Sequence, residues 1–375
     1  MAHDSATKVT RPSPGGRLPQ FPWDQLAEAG QVAREHPQGM VDLSVGTPVD
    51  RVPAPARAAL ADSSNAPGYP TVHGSAELRL AYSQWMDRSH GVGDIDPMAV
   101  LPTIGSKELV ASLPSQLGIG QDDTVVIPEI AYPTYEVGAL MAGARIVRAD
   151  NLTDLGTERP AMIWLNSPSN PTGKVLSAEH LAKVVTWARA RGTIVVSDEC
   201  YIDLGWDSAP LSILHREVSG GDLTGLLAVH SLSKRSNMAG YRAGFISGDP
   251  ELIGNLLALR RHLGLMMPTP IQAAAVAALN DDGHVMAQRI RYSERRAKLM
   301  SAFEDAGFTV GNSEAGLYLW CTRNEPAMDS VDWLARHGIL VAPGTFYGPT
   351  GAAHIRVAFT ATDERIDSAV ARLSS

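Results

Sequence analysis

Cysteine is scarce in this chain: Cys200 and Cys321 are the only two among 375 residues, with no CxxC pair and no His/Cys cluster at ligand spacing. Neither a disulfide framework nor a structural zinc site is implied. Long apolar runs are missing too, none approaching the roughly 18 residues of a membrane span. The net charge of −8 is thinly spread, and no block of like charge exceeds a few residues. That argues against a dedicated nucleic-acid surface and against a polybasic membrane anchor. The opening residues, MAHDSATKVTRPSPGGRLPQ, lack the apolar h-region of a secretory signal. These absences leave the expectation of a soluble cytoplasmic protein.

What is present is a chain of 44% hydrophobic composition, long enough for a large core. Its length suggests roughly two domains at about 150 residues each. Residues 1–18 are polar and rich in Pro, Gly and Ser, and read as a mobile tail. From about residue 100 the rhythm is strand, turn, helix. Short apolar runs at 99–103, 124–127, 144–148, 161–165, 193–197, 226–230 and 243–247 alternate with helical stretches. Near-continuous apolar strands separated by helices predict an α/β fold with a largely parallel sheet covered on both faces. Long helices follow residue 249, broken near Pro268 and Pro270, and shorter strands and helices alternate from about residue 308. A short strand is expected at 41–45. The expected layout is a tail at 1–18, an N-terminal segment of a small domain at 19–65, a large α/β/α domain at 66–265 and a C-terminal small α+β domain at 266–375.

In an open parallel sheet, ligands bind beyond the carboxyl ends of the strands. The run 231–245, SLSKRSNMAGYRAGF, follows one such strand and carries Lys234 with Ser231, Ser233 and Arg242. A lysine there is partly desolvated, which lowers its pKa and frees an amine for Schiff-base chemistry; an ordinary solvated lysine also fits the position. A nearby arginine and small hydroxyls suit a phosphate. Gly105-Ser106-Lys107 opens a helix whose N–H groups favour an anion, although a serine cap alone reads the same way. Tyr132 suits a flat heteroaromatic ring or a core. The loop NSPSNPTG at 166–173 is a rigid turn able to aim Asn170. Asp198 ends the strand TIVVS, where a carboxylate is costly unless paired. A pyridinium N–H and the start of the next helix are both suitable partners.

Taken together, these motifs resemble the class I and II aminotransferases of fold type I, which use pyridoxal 5′-phosphate (PLP). The resemblance runs from about Phe21 to the end. SLSKRSNMAGYRAGF, TIGSKELV, PEIAYPTYEVGA, WLNSPSNPTG and SDECY are similar to motifs of the succinyldiaminopimelate aminotransferases within that family. The resemblance implies that Lys234 binds PLP covalently and shuttles a proton between the substrate α-carbon and the cofactor C4′. It implies that Asp198 pairs with the pyridinium nitrogen, that Tyr201 and Asn170 hold the ring's phenolic oxygen, and that Tyr132 stacks on the ring. Gly105, Ser106, Lys107, Ser231, Ser233 and Arg242 would take the phosphate. Tyr69 would reach it from a neighbouring subunit, making a homodimer with shared sites. Arg356 would grip the substrate α-carboxylate through a bidentate fork, and Gly46 would close over the substrate. No metal is expected.

The reaction so implied takes an amino group from glutamate to a 2-oxo acid, N-succinyl-2-amino-6-oxopimelate, in lysine and diaminopimelate biosynthesis. Arg235, Lys107 and Arg51 are candidates for its distal carboxylates. Aspartate- or kynurenine-type aminotransferases and carbon–sulfur β-lyases on the same scaffold would keep the same residues. A PLP-binding regulatory domain fused to a DNA-binding module fits poorly with the short segment before Phe21 and the acidic charge. The S-x-x-K match at 231–234 lacks the S-D-N and K-T-G motifs of acyl-serine enzymes.

Overall fold

The computed structural model describes residues 14–93 and 95–374. The expected mobile tail falls largely on residues 1–13, outside the described residues. The first eight strands are β1 (Val41–Asp42), β2 (Val100–Ile104), β3 (Thr124–Ile127), β4 (Arg145–Arg148), β5 (Met162–Asn166), β6 (Ile194–Asp198), β7 (Leu226–Ser231) and β8 (Ala243–Gly248). All but β1 form one seven-stranded sheet in the order β2-β8-β7-β6-β5-β3-β4. Only β8 runs against its neighbours, pairing antiparallel with β2 and with β7.

Both faces of this sheet are covered, as the unbroken apolar strands predict. Side chains alternate across it: Met162 and Trp164 enter one buried cluster, Ile163 and Leu165 the other. The first face packs on helices Ser106–Gln116, Pro133–Ala142 and Pro250–Leu263, the second on Ala76–His90, Ala178–Arg189 and Thr269–Leu279. The reversal of β8 brings the start of that strand, rather than its end, to the edge where the parallel strands finish.

The remaining strands are β9 (Thr309–Gly311), β10 (Tyr318–Thr322), β11 (Ile339–Leu340), β12 (Ala342–Pro343) and β13 (Ile355–Ala358). Four of them build an antiparallel sheet in the order β12-β13-β10-β9, while β1 pairs with β11. A third buried cluster joins this sheet to the N-terminal residues Leu26, Ala29, Ala33, Val41 and Leu43. The strand expected at 41–45 is shorter than its apolar pattern suggested. Ser44 turns the chain because its N–H and hydroxyl both donate to Asp42 Oδ1, at 2.9 and 2.7 Å.

Packing also departs from the expected boundaries at 65/66 and 265/266. Helices Ala54–Asp62 and Thr269–Leu279 lie against each other. Ala56, Ala274, Ala275 and Ala278 are buried in a cluster of the large sheet, not of the small one. Their alanine-rich faces allow the close approach that holds them there. Among the described residues no helix is long and apolar enough to cross a membrane. Nor does any group of three or more His, Cys, Asp or Glu among them stand ready for a metal ion.

Candidate active site

The carboxyl ends of β5, β6 and β7 open into a cavity of about 1090 Å³, lined by Asn170, Asp198, Lys234 and Arg356 among others. Its far wall comes from the small sheet and the N-terminal segment, including Trp23, Gly46, Tyr318 and Phe346. Thus one cavity joins residues from both ends of the chain.

Lys234 lies in the short helix Leu232–Arg235 immediately after β7. Ser231 caps that helix, its Oγ accepting from the N–H of Ser233 at 3.1 Å. The Lys234 ammonium donates to the carbonyl of Gly46. Burial, helped by the charges of Arg356 and Arg242, holds its pKa below the ordinary lysine range. Asp198 ends β6 and is buried. Its Oδ2 accepts from the Tyr135 hydroxyl at 2.7 Å and its Oδ1 from the N–H of Cys200 at 3.1 Å. Burial pushes its carboxyl above the usual range, and the Cys200 and Tyr135 bonds offset only part of that. Tyr135 is itself held by stacking on Trp164, with ring centroids 4.8 Å apart.

Arg242 stands immediately before β8, so the reversed strand delivers it to the same edge as Lys234. Its guanidinium lies against Gly105, where a Cβ would sit 2.1 Å from Nη2. Gly105 also has φ +74°, a conformation suited to glycine. Ser106 and Lys107 follow at the helix start, and both line the cavity. The Lys107 ammonium sits 5.5 Å above the Phe21 ring at the mouth.

Asn166 braces the NSPSNPTG loop: its Nδ2 donates to the Asp198 carbonyl at 2.9 Å, and its Oδ1 accepts from the N–H of Asn170 at 2.8 Å. Asn170 in turn accepts from Arg356 Nη1 at 2.9 Å, while Arg356 Nη2 donates to the Ser44 carbonyl at 2.6 Å. Arg356 is only 2% exposed, and its Nε has no hydrogen-bond partner among the described residues. The Tyr318 ring lies beneath its guanidinium, 4.0 Å from centroid to Cζ. The Tyr318 hydroxyl meets that of Tyr201 at 3.0 Å. Tyr132 also lines the cavity, and burial pushes its phenol up to about 12.

Most of the residues named from sequence therefore converge. Tyr69 does not: it is 97% exposed and outside the cavity lining. Arg235 also points elsewhere. It is buried against Asp203 and Asp282, with Nη1 donating to the Ala278 carbonyl at 2.7 Å. Arg51 is exposed and does not line the cavity. Tyr318, Cys200 and the Tyr135–Asp198 bond are site features that sequence reasoning missed. Only pairing of β10 in the small sheet turns Tyr318 toward residues more than a hundred positions away.

Residues 38–373 match the family of class I and II aminotransferases, and the chain belongs to it. Members of that family have fold type I and depend on PLP. A probable aminotransferase of Mycobacterium tuberculosis is 60% identical over 97% of this chain and 88% of that protein. The 4-dedimethylamino-4-oxo-anhydrotetracycline transaminase OxyQ of Streptomyces rimosus is 55% identical over 95% of this chain and 99% of its own. Among solved structures, the N-succinyldiaminopimelate aminotransferase of Mycobacterium tuberculosis superposes with a TM-score of 0.84 at 27% identity, covering 95% of this chain and 99% of that one.

Proposed function

We propose that the protein moves an amino group from glutamate to N-succinyl-2-amino-6-oxopimelate, working as a homodimer. Arg356 carries the amino-transfer part of this proposal. It is a buried cation sharing a cavity with a buried amine, with N–H groups still unpaired once Asn170 and Ser44 are served. Such a guanidinium suits a carboxylate held beside an amine.

The donor set fits PLP. A phosphorylated pyridine aldehyde needs an amine, an anion cradle and a carboxylate for its ring nitrogen. Lys234, the 105–107 turn with Ser231, Ser233 and Arg242, and Asp198 answer those needs in turn. Bound PLP supplies an electron sink conjugated to the substrate nitrogen. Asp198 keeps the ring nitrogen protonated, and Tyr135 and Cys200 fix the direction of its carboxylate. With Oδ1 of Asn170 turned to Arg356, its Nδ2 is left to donate to the ring's phenolic oxygen beside Tyr201. The lowered pKa of Lys234 leaves more neutral Nζ near neutral pH, so with PLP bound the amine would take the substrate α-proton and deliver it to the cofactor C4′. Arg356 holds the α-carboxylate and so aims the α-hydrogen at Nζ. Gly46 supplies the loop over the substrate, and Tyr69 serves the partner subunit's phosphate.

Lys107 is the cavity cation left for a distal carboxylate, Arg235 being engaged elsewhere. The fold shared with an N-succinyldiaminopimelate aminotransferase supports the same acceptor. A second reading rests on the aromatic wall, in which Trp23 and Phe346 pack with centroids 5.4 Å apart. With 55% identity to OxyQ, that wall favours an acceptor with a flat carbocyclic body. The test is glutamate-dependent transamination with a panel holding the succinylated oxo-pimelate, pyruvate, oxaloacetate and a polycyclic ketone. The succinylated acid should give the highest kcat/KM, and Lys107→Ala should raise its KM about tenfold. Turnover of the polycyclic ketone alone would overturn the first reading in favour of the second.

A further inference from the structure

The three residues that follow Lys234 grip one helix in succession. Arg235 Nη2 lies 3.3 Å from Asp282, at the start of helix Gly283–Asp305. Ser236 Oγ meets His284 Nε2 at 2.9 Å. Asn237 reaches further along, its Nδ2 donating to Gln288 Oε1 at 3.0 Å and its Oδ1 accepting from the Tyr292 hydroxyl at 3.2 Å. Its φ is +53°, a left-handed conformation that asparagine tolerates better than most residues other than glycine.

The same helix also holds the loop that carries Gly46, which runs between β1 and helix Ala54–Asp62. Gln288 Nε2 donates to Asp50 Oδ2 at 2.7 Å. Arg295, two turns along, meets both Asp50 oxygens at 2.6 and 2.9 Å. Asn237 Nδ2 also faces the Arg51 carbonyl at 3.5 Å. Charge fixes the direction of this chain. Asp50, under a two-pronged guanidinium, is a carboxylate and can only accept. Gln288 therefore turns Nε2 toward it and Oε1 toward Asn237. Asn237 answers with Nδ2, which leaves its Oδ1 for the Tyr292 hydroxyl. Asn237, Gln288 and Tyr292 are all buried, so a broken link leaves a polar group unsatisfied. The bond from Lys234 to the Gly46 carbonyl cannot hold the loop in the working enzyme, since that amine is taken by the cofactor.

We propose that Asn237 is a positioning residue: through Gln288 and Asp50 it keeps the Gly46 loop closed over the substrate site, in register with the Lys234 turn. The inference rests on the proposed role of Gly46 in covering the substrate. Asn237 does not line the cavity and acts only through its neighbours. A loop that is closed part of the time binds substrate more weakly in proportion, while saturating substrate restores the closed form. Loss of the relay therefore raises KM and spares kcat.

Two variants test this. Asn237→Gly removes the amide and suits the positive φ, and Gln288→Met keeps a long unbranched side chain in the helix. Each should raise KM for glutamate about three- to tenfold, the worth of one ordinary hydrogen bond, with kcat within about twofold and PLP still bound. Combined, they should raise it little beyond the larger single effect, because both cut one relay. In cofactor-free protein, trypsin should cleave after the exposed Arg51 several-fold faster in both variants, since cleavage follows the population of the open loop. An unchanged KM, a fall in kcat instead, effects that multiply, or unchanged cleavage overturns the proposal. If Asn237→Gly does not fold, Gln288→Met alone decides by the same KM and cleavage measurements. Wild-type protein without transamination would instead overturn the functional reading, and the cleavage rates would still judge the relay.

Discussion

Asp198 shows how one residue carries both a cost and a use. Its carboxyl pKa is raised because the group is buried. The stability it contributes is therefore fully present below the unfolded carboxyl value, about 3.9, and is lost as pH rises through the higher folded value. Cofactor-free wild-type protein should accordingly lose stability relative to Asp198→Asn between about pH 4 and about pH 7. Urea unfolding at both pH values measures this, and a pH-independent difference would contradict burial as the cause. Gly46 is the opposite case, a residue defined by what it lacks. Gly46→Ala would drive a methyl into Tyr318, and overpacking of this kind costs about 1–3 kcal/mol. Denaturant titration of the two proteins tests that cost. The convergence of Lys234, Asp198 and Arg242 on one cavity was legible because each stands beside an apolar strand that advertises its own end. Tyr318 was not. Within GLYLWCT it reads as one more buried strand residue, and its cavity-facing orientation depends on pairing with β13.

At the scale of elements, the helix Ser106–Gln116 must hold its N-terminus at the cavity edge. Arg260, with no exposed surface, clamps it there. Its Nη1 and Nη2 meet the two Glu108 oxygens at 3.1 and 3.0 Å, and Nη1 also reaches Gln116 at 3.2 Å. Glu108→Ala leaves the buried guanidinium without its carboxylate and with Gln116 alone, which should cost on the order of 3 kcal/mol. Equilibrium unfolding of the variant checks this, and a cost near zero would show that water reaches Arg260. PLP affinity should fall along with stability if this clamp positions the turn. The strands and most helices were legible, because a two-residue and a 3.6-residue period are local signals. The direction of β8 was not. Nothing in AGFIS tells parallel from antiparallel, and the link through residues 232–242 is only marginally too short for a parallel return. A parallel return would require a crossover of a dozen or more residues. The placement of Thr269–Leu279 under the large sheet was equally hidden, since small alanines fit either core.

For the whole molecule, the described chain completes most of a site but leaves Tyr69 almost fully exposed. If Tyr69 serves a second copy, mixing inactive Tyr69→Ala and Lys234→Ala proteins should restore part of the activity through hybrid dimers. Two random half-mixtures give one intact site per hybrid, so recovery should approach about a quarter of the wild-type sites. No recovery from subunits shown to exchange would remove Tyr69 from the shared site. Whatever the assembly and the acceptor, the proposed chemistry needs Lys234 as the amine that binds PLP. Borohydride reduction of the purified PLP-loaded protein, followed by peptide mass mapping, tests it most directly. A single phosphopyridoxyl adduct is expected on the peptide containing Lys234, absent from Lys234→Ala. Reduction that leaves this lysine unmodified, or places the adduct on Lys107, would contradict it.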